Sequence, residues 1–274
     1  MTRAAVLGSP IDHSLSPVIH RAAYHQLGLD WTYDAVEVTV AGFDSFVDTL
    51  DGTWRGLSVT MPLKEVAAGC GAPDPDVVLT GAANTVLLGG RRTVHNTDIA
   101  GLSDALAAND VTKLRVGTVI GNGATARSAL VALARAGAQL VEVQGRSPDR
   151  LHDFIAWAEG ALRIEVQPRS LGAPLDPESE VLVSTVPAEA LAGRLDSLPV
   201  EVCPSLKAVF DVIYHPWPTA LAQRAEQAGL PVISGLDLLV HQARHQIRLM
   251  TGSEVDVQLL MSAVRAELRR RQGQ

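Results

Sequence analysis

The sequence is short of cysteine, of long apolar runs and of positive charge. Its two cysteines, Cys70 and Cys203, lie far apart and form no CxxC pair, so they suggest neither a disulfide framework nor a thiolate metal site. No apolar run reaches the roughly 18 residues that a membrane-spanning helix needs. A formal net charge of -7 offers no general attraction to phosphate backbones or anionic lipid, so neither nucleic acid nor a membrane is an expected partner.

The one concentrated group of positive charges stands near the end of the chain, at Arg269, Arg270 and Arg271. These arginines follow an amphipathic stretch, and cations are electrostatically favourable at the C-terminus of a helix. We therefore interpret the group as a solvated helix end. The weakly apolar run before Ser9 is too short for the core of a signal peptide, so a cytoplasmic location is expected.

Short β-branched runs alternate with helical patterns along the chain, which predicts an α/β protein with parallel sheets. The predicted strands cover residues 4–7, 31–36, 57–59, 116–120, 140–143, 181–186 and 208–212. Between residues 85 and 95, two short runs flank Gly89 and Gly90, which predicts a hairpin and hence a mixed sheet in the first half. The length of 274 residues favours two domains, with a junction shortly before Val116.

A glycine-rich turn opens the second half of the chain. Residues 116–137 follow the order strand, turn and helix, and Gly121, Gly123 and Ala126 fit the pattern G-x-G-x-x-G/A. The first glycine permits the tight turn, the second lets a pyrophosphate approach the backbone, and the small third residue lets helix and strand pack closely. Free N–H groups at the start of the helix attract the phosphates. Because another strand follows, the segment predicts a Rossmann dinucleotide site rather than an ordinary tight turn.

The residues after that second strand indicate which dinucleotide binds. An acidic residue there would bind the ribose 2′-hydroxyl of NAD, whereas this chain has Arg146, Ser147 and, slightly later, Arg150. The planar guanidinium of Arg146 suits a 2′-phosphate. An isolated arginine in a turn is explained equally well as a solvated side chain, but the position after this strand favours NADP.

Polar residues of the first half cluster where loops are expected to follow strands. Ligands of open α/β sheets bind outside the carboxyl ends of the strands, so these loops are expected to converge. Ser16 has a structural alternative, because it could be the N-cap of a helix whose first residue is Pro17. Asp98 could likewise cap a helix that begins near Ile99. The clustered residues are Ser14, Ser16, Thr60, Lys64, Asn84, Thr85, Asn96, Thr97 and Asp98.

Lys64 is the least expected member of this group. A helix that begins at Pro62 would place Lys64 in its first turn, where a cation is unfavourable because the helix dipole is positive at that end. Chemistry supplies another reason for the residue. Reduction of a carbonyl by NADPH needs a proton at the developing alkoxide, and a lysine ammonium paired with a carboxylate can donate it. Hydroxyls and amides around such a pair suit a substrate rich in OH groups.

Several spaced motifs, in order along almost the whole chain, resemble the shikimate dehydrogenase family. They are SLS (14–16), SVTMPLK (58–64), GAANT (81–85), NTD (96–98), DVIYHPWPTAL (211–221) and SGLDLLVHQ (234–242). The resemblance implies reversible reduction of 3-dehydroshikimate to shikimate with NADPH, in the pathway to chorismate and the aromatic amino acids. It also implies an α/β protein with a substrate-binding catalytic domain (1–103), a Rossmann NADP-binding domain (104–235) and C-terminal helices (236–274) that return to the first domain.

The resemblance also implies roles for individual residues, motif by motif. Lys64 and Asp98 would form the catalytic pair, and Tyr214 would lie near the substrate carboxylate. The substrate ligands would be Ser14, Ser16, Thr60, Lys64, Asn84, Asp98, Tyr214 and Gln242. The cofactor would contact Gly121, Asn122, Gly123, Ala124, Thr125, Ala126, Gly145, Arg146, Ser147, Arg150, Thr185, Val186, Ile213 and Gly235. Gly235 and the backbone near Ile213 would face the nicotinamide.

The chain departs from the family pattern at several positions. The family usually has Asn where this chain has Ser58, so a hydrogen bond beside the site is expected to differ. Ala124 and Thr125 stand where the turn is commonly GxGGA, and Gly145 replaces the usual Asn before the basic residue. Ser234 also stands where the family usually has Asn. None of these positions belongs to the expected catalytic pair.

Two other functions fit part of the pattern. A quinate/shikimate dehydrogenase that prefers NAD would carry an acid near the position of Arg146, and a non-catalytic shikimate-sensing protein would not need both Lys64 and Asp98. His241 and His245 stand one helical turn apart but lack the Glu of HExxH, so no metal is expected. The sequence leaves both a monomer and a homodimer open.

Overall fold

The computed structural model describes residues 1–146 and 151–273. This part of the chain forms two compact units, each built around its own sheet. The first unit comprises Met1–Gly101 together with the segment from Leu239 onward, and the second comprises Leu102–Leu238. No helix within the described ranges combines the length and the apolar character that crossing a membrane demands.

The first unit contains a mixed sheet. Its strands are β1 (Thr2–Gly8), β2 (Trp31–Glu37), β3 (Trp54–Val59), β4 (Ala72–Pro73), β5 (Thr85–Leu87) and β6 (Thr93–His95). They are arranged in the order β2-β1-β3-β5-β6-β4. β1 runs parallel to β2 and β3, whereas β5 runs antiparallel to β3 and β6. The predicted hairpin is therefore present as β5 and β6, and it makes the sheet mixed.

The second unit contains a wholly parallel sheet. Its strands are β7 (Val116–Ile120), β8 (Leu140–Gly145), β9 (Glu165–Ser170), β10 (Val181–Ser184), β11 (Ala208–Asp211) and β12 (Val232–Ser234). They are arranged in the order β12-β11-β10-β7-β8-β9, which is the strand order of a Rossmann domain counted from β7. All five residues of β7 are buried, because a parallel sheet is covered on both faces. The predicted Rossmann domain is confirmed.

Helices follow most strands, as an α/β chain requires. They are α1 (Ser16–Gln26), α2 (Phe43–Asp48), α3 (Lys64–Ala68), α4 (Pro75–Thr80), α5 (Thr97–Ala107), α6 (Ala124–Arg135), α7 (His152–Leu162), α8 (Ala220–Gln227), α9 (Gly235–Thr251) and α10 (Val257–Gln272). Short 3₁₀ turns occupy Val40–Gly42, Ala188–Leu191, Leu195–Ser197 and Val200–Val202.

The core of the first unit follows from the two-residue period of its strands. Successive side chains of a strand point to opposite faces of the sheet. Leu57 and Val59 of β3 therefore pack in one apolar cluster with Phe43 and Leu63. Ser58, which lies between them, points to the other face and bonds to Tyr33. This alternation places the Ser58 hydroxyl on the second face of the sheet, within hydrogen-bond distance of the Tyr33 hydroxyl.

Candidate active site

The topology of the first sheet explains why the polar loops lie at one edge. β1 and β3 are parallel, so the loops that follow them leave the sheet at the same edge. β5 is antiparallel to β3 and therefore begins at that edge, and β6 ends there because it is antiparallel to β5. The residues that this arrangement places at the edge are Ser14, Ser16, Thr60, Lys64, Asn84 and Asp98.

An ion pair forms the centre of this group. Lys64 Nζ donates to Asp98 Oδ2 at 2.5 Å, and the two side chains are only 17% and 7% exposed. Lys64 is the first residue of α3, which begins two residues later than a start at Pro62 would give. Asp98 lies in the first turn of α5, where the helix dipole favours a carboxylate. The dipole of α3 disfavours the Lys64 ammonium at the start of that helix, so the position of this ammonium depends on its ion pair with Asp98.

Asn96, rather than Asp98, performs the capping role at the start of α5. The helix begins at Thr97, one residue before Asp98, and Asn96 Oδ1 accepts from the Asp98 N–H at 3.1 Å. The alternative in which Asp98 caps a helix that begins near Ile99 is therefore wrong. Because Asn96 performs this task, the Asp98 carboxylate is available to Lys64 and to a neighbouring amide.

That amide belongs to Asn84, which is 3% exposed. Its Nδ2 donates to Asp98 Oδ1 at 2.8 Å, and it lies 2.9 Å from Thr97 Oγ1 and 3.2 Å from Gln242 Oε1. Its Oδ1 accepts from the Thr97 N–H at 2.9 Å. Both oxygens of the carboxylate thus accept from defined donors, one neutral and one charged. Thr97 stands beside Asp98 in the NTD motif but was not among the predicted ligands.

Gln242 reaches this group because α9 packs very closely on α5. A Cβ atom added at Gly101 would lie 2.7 Å from both Cβ and the backbone nitrogen of Gln242, a distance that real contacts do not show. The absence of a side chain at Gly101 therefore permits the approach. Gln242 is 7% exposed, and its Nε2 also donates to the Leu239 carbonyl at 2.8 Å.

Ser14 and Thr60 lie in the loops that follow β1 and β3, and Ser16 lies at the start of the helix that follows β1. α1 begins at Ser16 with Leu15 as its N-cap and no side-chain cap bond, so the interpretation of Ser16 as the N-cap is wrong. Instead, Ser14 Oγ accepts from the Ser16 N–H at 3.3 Å. Thr60 is held by its backbone N–H, which donates to the Leu7 carbonyl at 2.8 Å.

Tyr214, the remaining predicted substrate ligand, belongs to the second unit and is half-buried. It follows β11 in a turn that Asp211 organises. The Asp211 carboxylate accepts from Thr219 Oγ1 at 2.6 Å and from the Ile213 N–H at 3.2 Å. Burial raises the pKa of Asp211, while these two donors oppose the rise.

A separate cavity of about 310 Å³ in the second unit contains much of the predicted cofactor site. Predicted residues that line it are Gly121, Asn122, Gly123, Gly145, Arg146, Thr185 and Val186. The motif did not indicate the other lining residues, Gln144, Leu151, Leu171, Pro187 and Ala190. β10 ends at Ser184 rather than at residue 186, so Thr185 and Val186 lie in the loop beside the glycine turn.

The glycine turn fits the phosphates of a dinucleotide. Gly121 has φ +115°, and a Cβ atom there would lie 2.3 Å from Thr185 Oγ1. Gly123 is the N-cap of α6, with no side-chain cap bond and with no described atom within 4 Å of an added Cβ. A phosphate can therefore approach the start of α6, where the first turn of a helix offers N–H groups. Ala126 is fully buried against the sheet, as the motif requires.

The residues after β8 are consistent with a 2′-phosphate. Arg146 is exposed at the end of this strand and lines the cavity. A Cβ atom at Gly145 would lie 2.8 Å from Leu151 Cδ2, so a side chain there would require Leu151 to shift. Ser147 and Arg150 lie outside the described residues.

Gly235 marks a close approach of two backbone segments in the second unit. Its N–H donates to the Ile213 carbonyl at 3.2 Å, and an added Cβ would lie 2.2 Å from the Val212 carbonyl oxygen. Only glycine fits this position. Ser234, where the family usually has Asn, directly precedes α9, and its N–H and hydroxyl both donate to Asp237 Oδ2, at 2.9 and 2.6 Å.

Two family models match segments of the chain. Residues 6–86 match the shikimate dehydrogenase substrate binding domain, and residues 235–265 match the shikimate 5′-dehydrogenase C-terminal domain. The shikimate dehydrogenase (NADP(+)) of Natronomonas pharaonis is 34% identical over 273 residues, which cover 96% of this chain and 98% of that protein.

Solved structures agree with these matches. The shikimate dehydrogenase of Mycobacterium tuberculosis superposes with a TM-score of 0.86 at 35% identity, covering 97% of this chain and 100% of that one. The shikimate 5-dehydrogenase of Thermus thermophilus, solved in complex with NADP(H) and shikimate, gives a TM-score of 0.83 at 31% identity, with 97% and 99% covered. Such identity along nearly the whole length means that the chain belongs to the shikimate dehydrogenase family.

Proposed function

We propose that this protein catalyses the reversible NADPH-dependent reduction of 3-dehydroshikimate to shikimate, a step toward chorismate and the aromatic amino acids. The observation that supports this most directly is the ion pair of Lys64 Nζ and Asp98 Oδ2 at 2.5 Å. It lies at the sheet edge where hydroxyls and amides converge, which suits a substrate with several OH groups. The enzyme from Thermus thermophilus that binds NADP(H) and shikimate together has the same fold over the same length.

The three segments expected from the family resemblance would divide the work. Residues 1–103 would hold the substrate through Ser14, Ser16, Thr60, Asn84 and the catalytic pair, and residues 236–274 would contribute Gln242 to that site. Residues 104–235 would bind NADP at the glycine turn and supply Tyr214 for the substrate carboxylate. In the cofactor domain, the open space beside Gly123 is the feature that favours a phosphate.

Lys64 would carry the proton of the reaction. When bound, NADPH supplies a hydride to the carbonyl carbon. As the carbonyl electron pair moves onto oxygen, the Lys64 ammonium donates a proton to that oxygen and becomes a neutral amine. In the reverse direction the amine takes the proton back from the hydroxyl. Asp98 stabilises the ammonium form and orients it, and the partial exposure of Lys64 lets it exchange protons with solvent.

Arg146 would select the cofactor. Its guanidinium can form two parallel hydrogen bonds to a 2′-phosphate, which NADP has and NAD lacks. The position stands at the end of β8, where an NAD-preferring domain carries an acidic side chain. This is why the NAD-preferring alternative is not favoured.

A spectrophotometric assay with shikimate and quinate, each against NADP and NAD, tests the proposal. We expect the fastest absorbance change with shikimate and NADP. Faster oxidation of quinate with NAD would instead identify the NAD-preferring quinate/shikimate dehydrogenase. Binding of shikimate without any absorbance change would identify a sensing protein.

A further inference from the structure

A second polar group lies buried next to the catalytic one, and the mechanism above uses none of its members. We call it the inner polar cluster. It comprises His20, Tyr33, Ser58, Thr85 and Gln246, which are all at most 3% exposed. Polar groups buried to this degree destabilise the fold unless hydrogen bonds satisfy them. The bonds that satisfy them also lead directly to Asn84.

Gln246 on α9 is the centre of the inner polar cluster. Its Nε2 donates to the backbone carbonyl of Asn84 at 2.9 Å and to Thr85 Oγ1 at 3.1 Å. Its Oε1 accepts from Ser58 Oγ at 2.7 Å and lies 3.3 Å from His20 Nε2. An amide has two N–H groups and two lone pairs, so every one is used. The backbone carbonyl of Asn84 can only accept a hydrogen bond. The NH₂ end of the Gln246 amide must therefore face it, which fixes the orientation of that amide.

The bond to Thr85 decides where the Thr85 hydroxyl points. Since Thr85 Oγ1 receives the N–H of Gln246, its own proton is free to be donated, and the acceptor is Asn84 Oδ1 at 2.9 Å. The Asn84 oxygen is therefore held toward Thr85, and the Asn84 NH₂ group is left to face Asp98. The Thr97 N–H supports the same orientation, since it also donates to Asn84 Oδ1.

The other side of the cluster has equally defined donors. The Tyr33 hydroxyl donates to Ser58 Oγ at 2.5 Å, so the proton of Ser58 is available to Gln246 Oε1. Burial lowers the pKa of His20 to about 3, so its ring is neutral. With its proton on Nε2, His20 donates to Gln246 and accepts at Nδ1 from the Tyr24 hydroxyl, 3.3 Å away.

We propose that Gln246 and Thr85 are positioning residues, which hold the Asn84 amide so that its N–H groups and not its oxygen face Asp98. This inference rests on the proposed function. A reversed amide would place the Asn84 oxygen against Asp98 Oδ1, now 2.8 Å from Asn84 Nδ2, and repulsion would displace the carboxylate from Lys64. The order of bonds is Gln246, Thr85, Asn84, Asp98 and Lys64.

Two substitutions at Thr85 separate this role from packing. Thr85→Val removes the hydroxyl at similar volume and suits a strand, whereas Thr85→Ser keeps the hydroxyl and removes a methyl group. Gln246→Met removes the amide at similar length. Ile247→Val is the matched control, because Ile247 is the next residue of α9, is fully buried and lies outside the cluster.

The measurements are kcat and KM for shikimate at saturating NADP, together with the thermal unfolding midpoint of each variant. We expect kcat to fall about tenfold or more in Thr85→Val and Gln246→Met, with a smaller change in KM, because misplacement of catalytic groups lowers turnover. Thr85→Ser should retain most of kcat. Ile247→Val should lower the midpoint and leave kcat unaltered.

The inference is overturned if Thr85→Val turns over as fast as Thr85→Ser, or if kcat in all variants simply follows the unfolding midpoint. If Gln246→Met does not fold, the comparison of Thr85→Val with Thr85→Ser decides alone. If Thr85→Val does not fold, Gln246→Met decides alone. Absence of turnover by the unaltered protein overturns the proposed function and this inference with it. Turnover by the unaltered protein with unchanged kcat in the variants overturns the inference only.

Discussion

The first unit builds its site from side chains, whereas the second builds its cavity largely from backbone. In the first unit, Lys64, Asn84 and Asp98 contact one another through charged and amide groups at 2.5 and 2.8 Å. In the second unit, Gly121 and Gly123 shape the turn by having no side chain. The first site is therefore sensitive to the removal of atoms, and the second is sensitive to their addition.

The proposed function explains this difference by what each site would recognise. A small ring with several hydroxyls needs donors and acceptors at individual positions, which only side chains from several loops can supply. A pyrophosphate is recognised by the N–H groups at a helix start, and those groups are present in any sequence that lets the ligand approach. Among the described residues of the second unit, Arg146 is an exception to recognition by the backbone, since the 2′-phosphate needs a side chain.

The largest expected effect in this comparison is that of Lys64→Ala. We expect kcat to fall by about 10²–10⁴-fold, the usual range for loss of a positioned proton donor. KM for shikimate should change far less, because the lost interaction matters most in the transition state. Steady-state kinetics with NADP measure both. Lys113→Ala, an exposed lysine outside the site, serves as the control, and an unchanged kcat in Lys64→Ala would remove this residue from proton transfer.

Arg146→Ala removes the guanidinium that would bind the 2′-phosphate and so distinguish NADP from NAD. We expect KM for NADP to rise about tenfold or more, since a hydrogen bond to a charged group contributes roughly 1.5–3 kcal/mol. NAD, which has no 2′-phosphate, is the internal control, and its kinetics should stay the same. A clear preference for NAD in the unaltered protein, or equal losses with both cofactors, would contradict the assignment.

Added methyl groups should distinguish the two glycines of the turn. Gly121→Ala introduces a Cβ close to Thr185 at a positive φ, so we expect the free energy of unfolding to fall by about 1–3 kcal/mol. Gly123→Ala has open space around it, so the folded state should be nearly as stable as before. Its methyl group would instead meet the phosphates and weaken NADP binding. Urea unfolding and NADP titration of both variants check this, and identical profiles would refute the distinction.

The last prediction concerns a gradual change, a pH dependence of stability that His20 confers on the first unit. Burial lowers the pKa of His20 in the folded state to about 3, below its ordinary value of 6.5. As pH falls below 6.5, the unfolded chain binds a proton that the folded chain cannot bind, so stability decreases. The loss amounts to about 1.4 kcal/mol per pH unit until the folded-state pKa is reached.

His20→Phe keeps a ring against Tyr33 but cannot titrate, which makes it the matched variant. Urea unfolding on both sides of pH 6.5 should show that its stability falls less steeply with acid than that of the unaltered protein. Parallel curves would show that His20 does not contribute this dependence.

Much of the architecture could be predicted because its causes are local. The β-branched runs became strands at nearly the expected positions, with β7 at Val116–Ile120 as predicted, and the hairpin around Gly89 and Gly90 appeared as β5 and β6. Helix starts were less predictable. Ser16 and Asp98 are both typical capping residues, but the neighbouring residues Ser14 and Asn96 make the corresponding bonds.

Contacts between distant segments could not be predicted in this way. The close approach of α5 and α9 at Gly101 depends on a glycine that looks unremarkable in the sequence, inside a helical pattern. Gln246 likewise looks like an ordinary polar residue of a helix, although it is 1% exposed and bonds to residues far away along the chain.

The sequence alone determined the α/β class, the Rossmann turn and the types of residue available for chemistry, because periodicity, glycine spacing and charge act over a few neighbouring positions. The tertiary structure decided which of those residues meet. Asn84 and Gln246, for example, are separated by 162 positions and are bonded at 2.9 Å. The physical reason is that a buried hydrogen-bond group needs a partner wherever the fold supplies one, and that partner depends on how whole strands and helices pack.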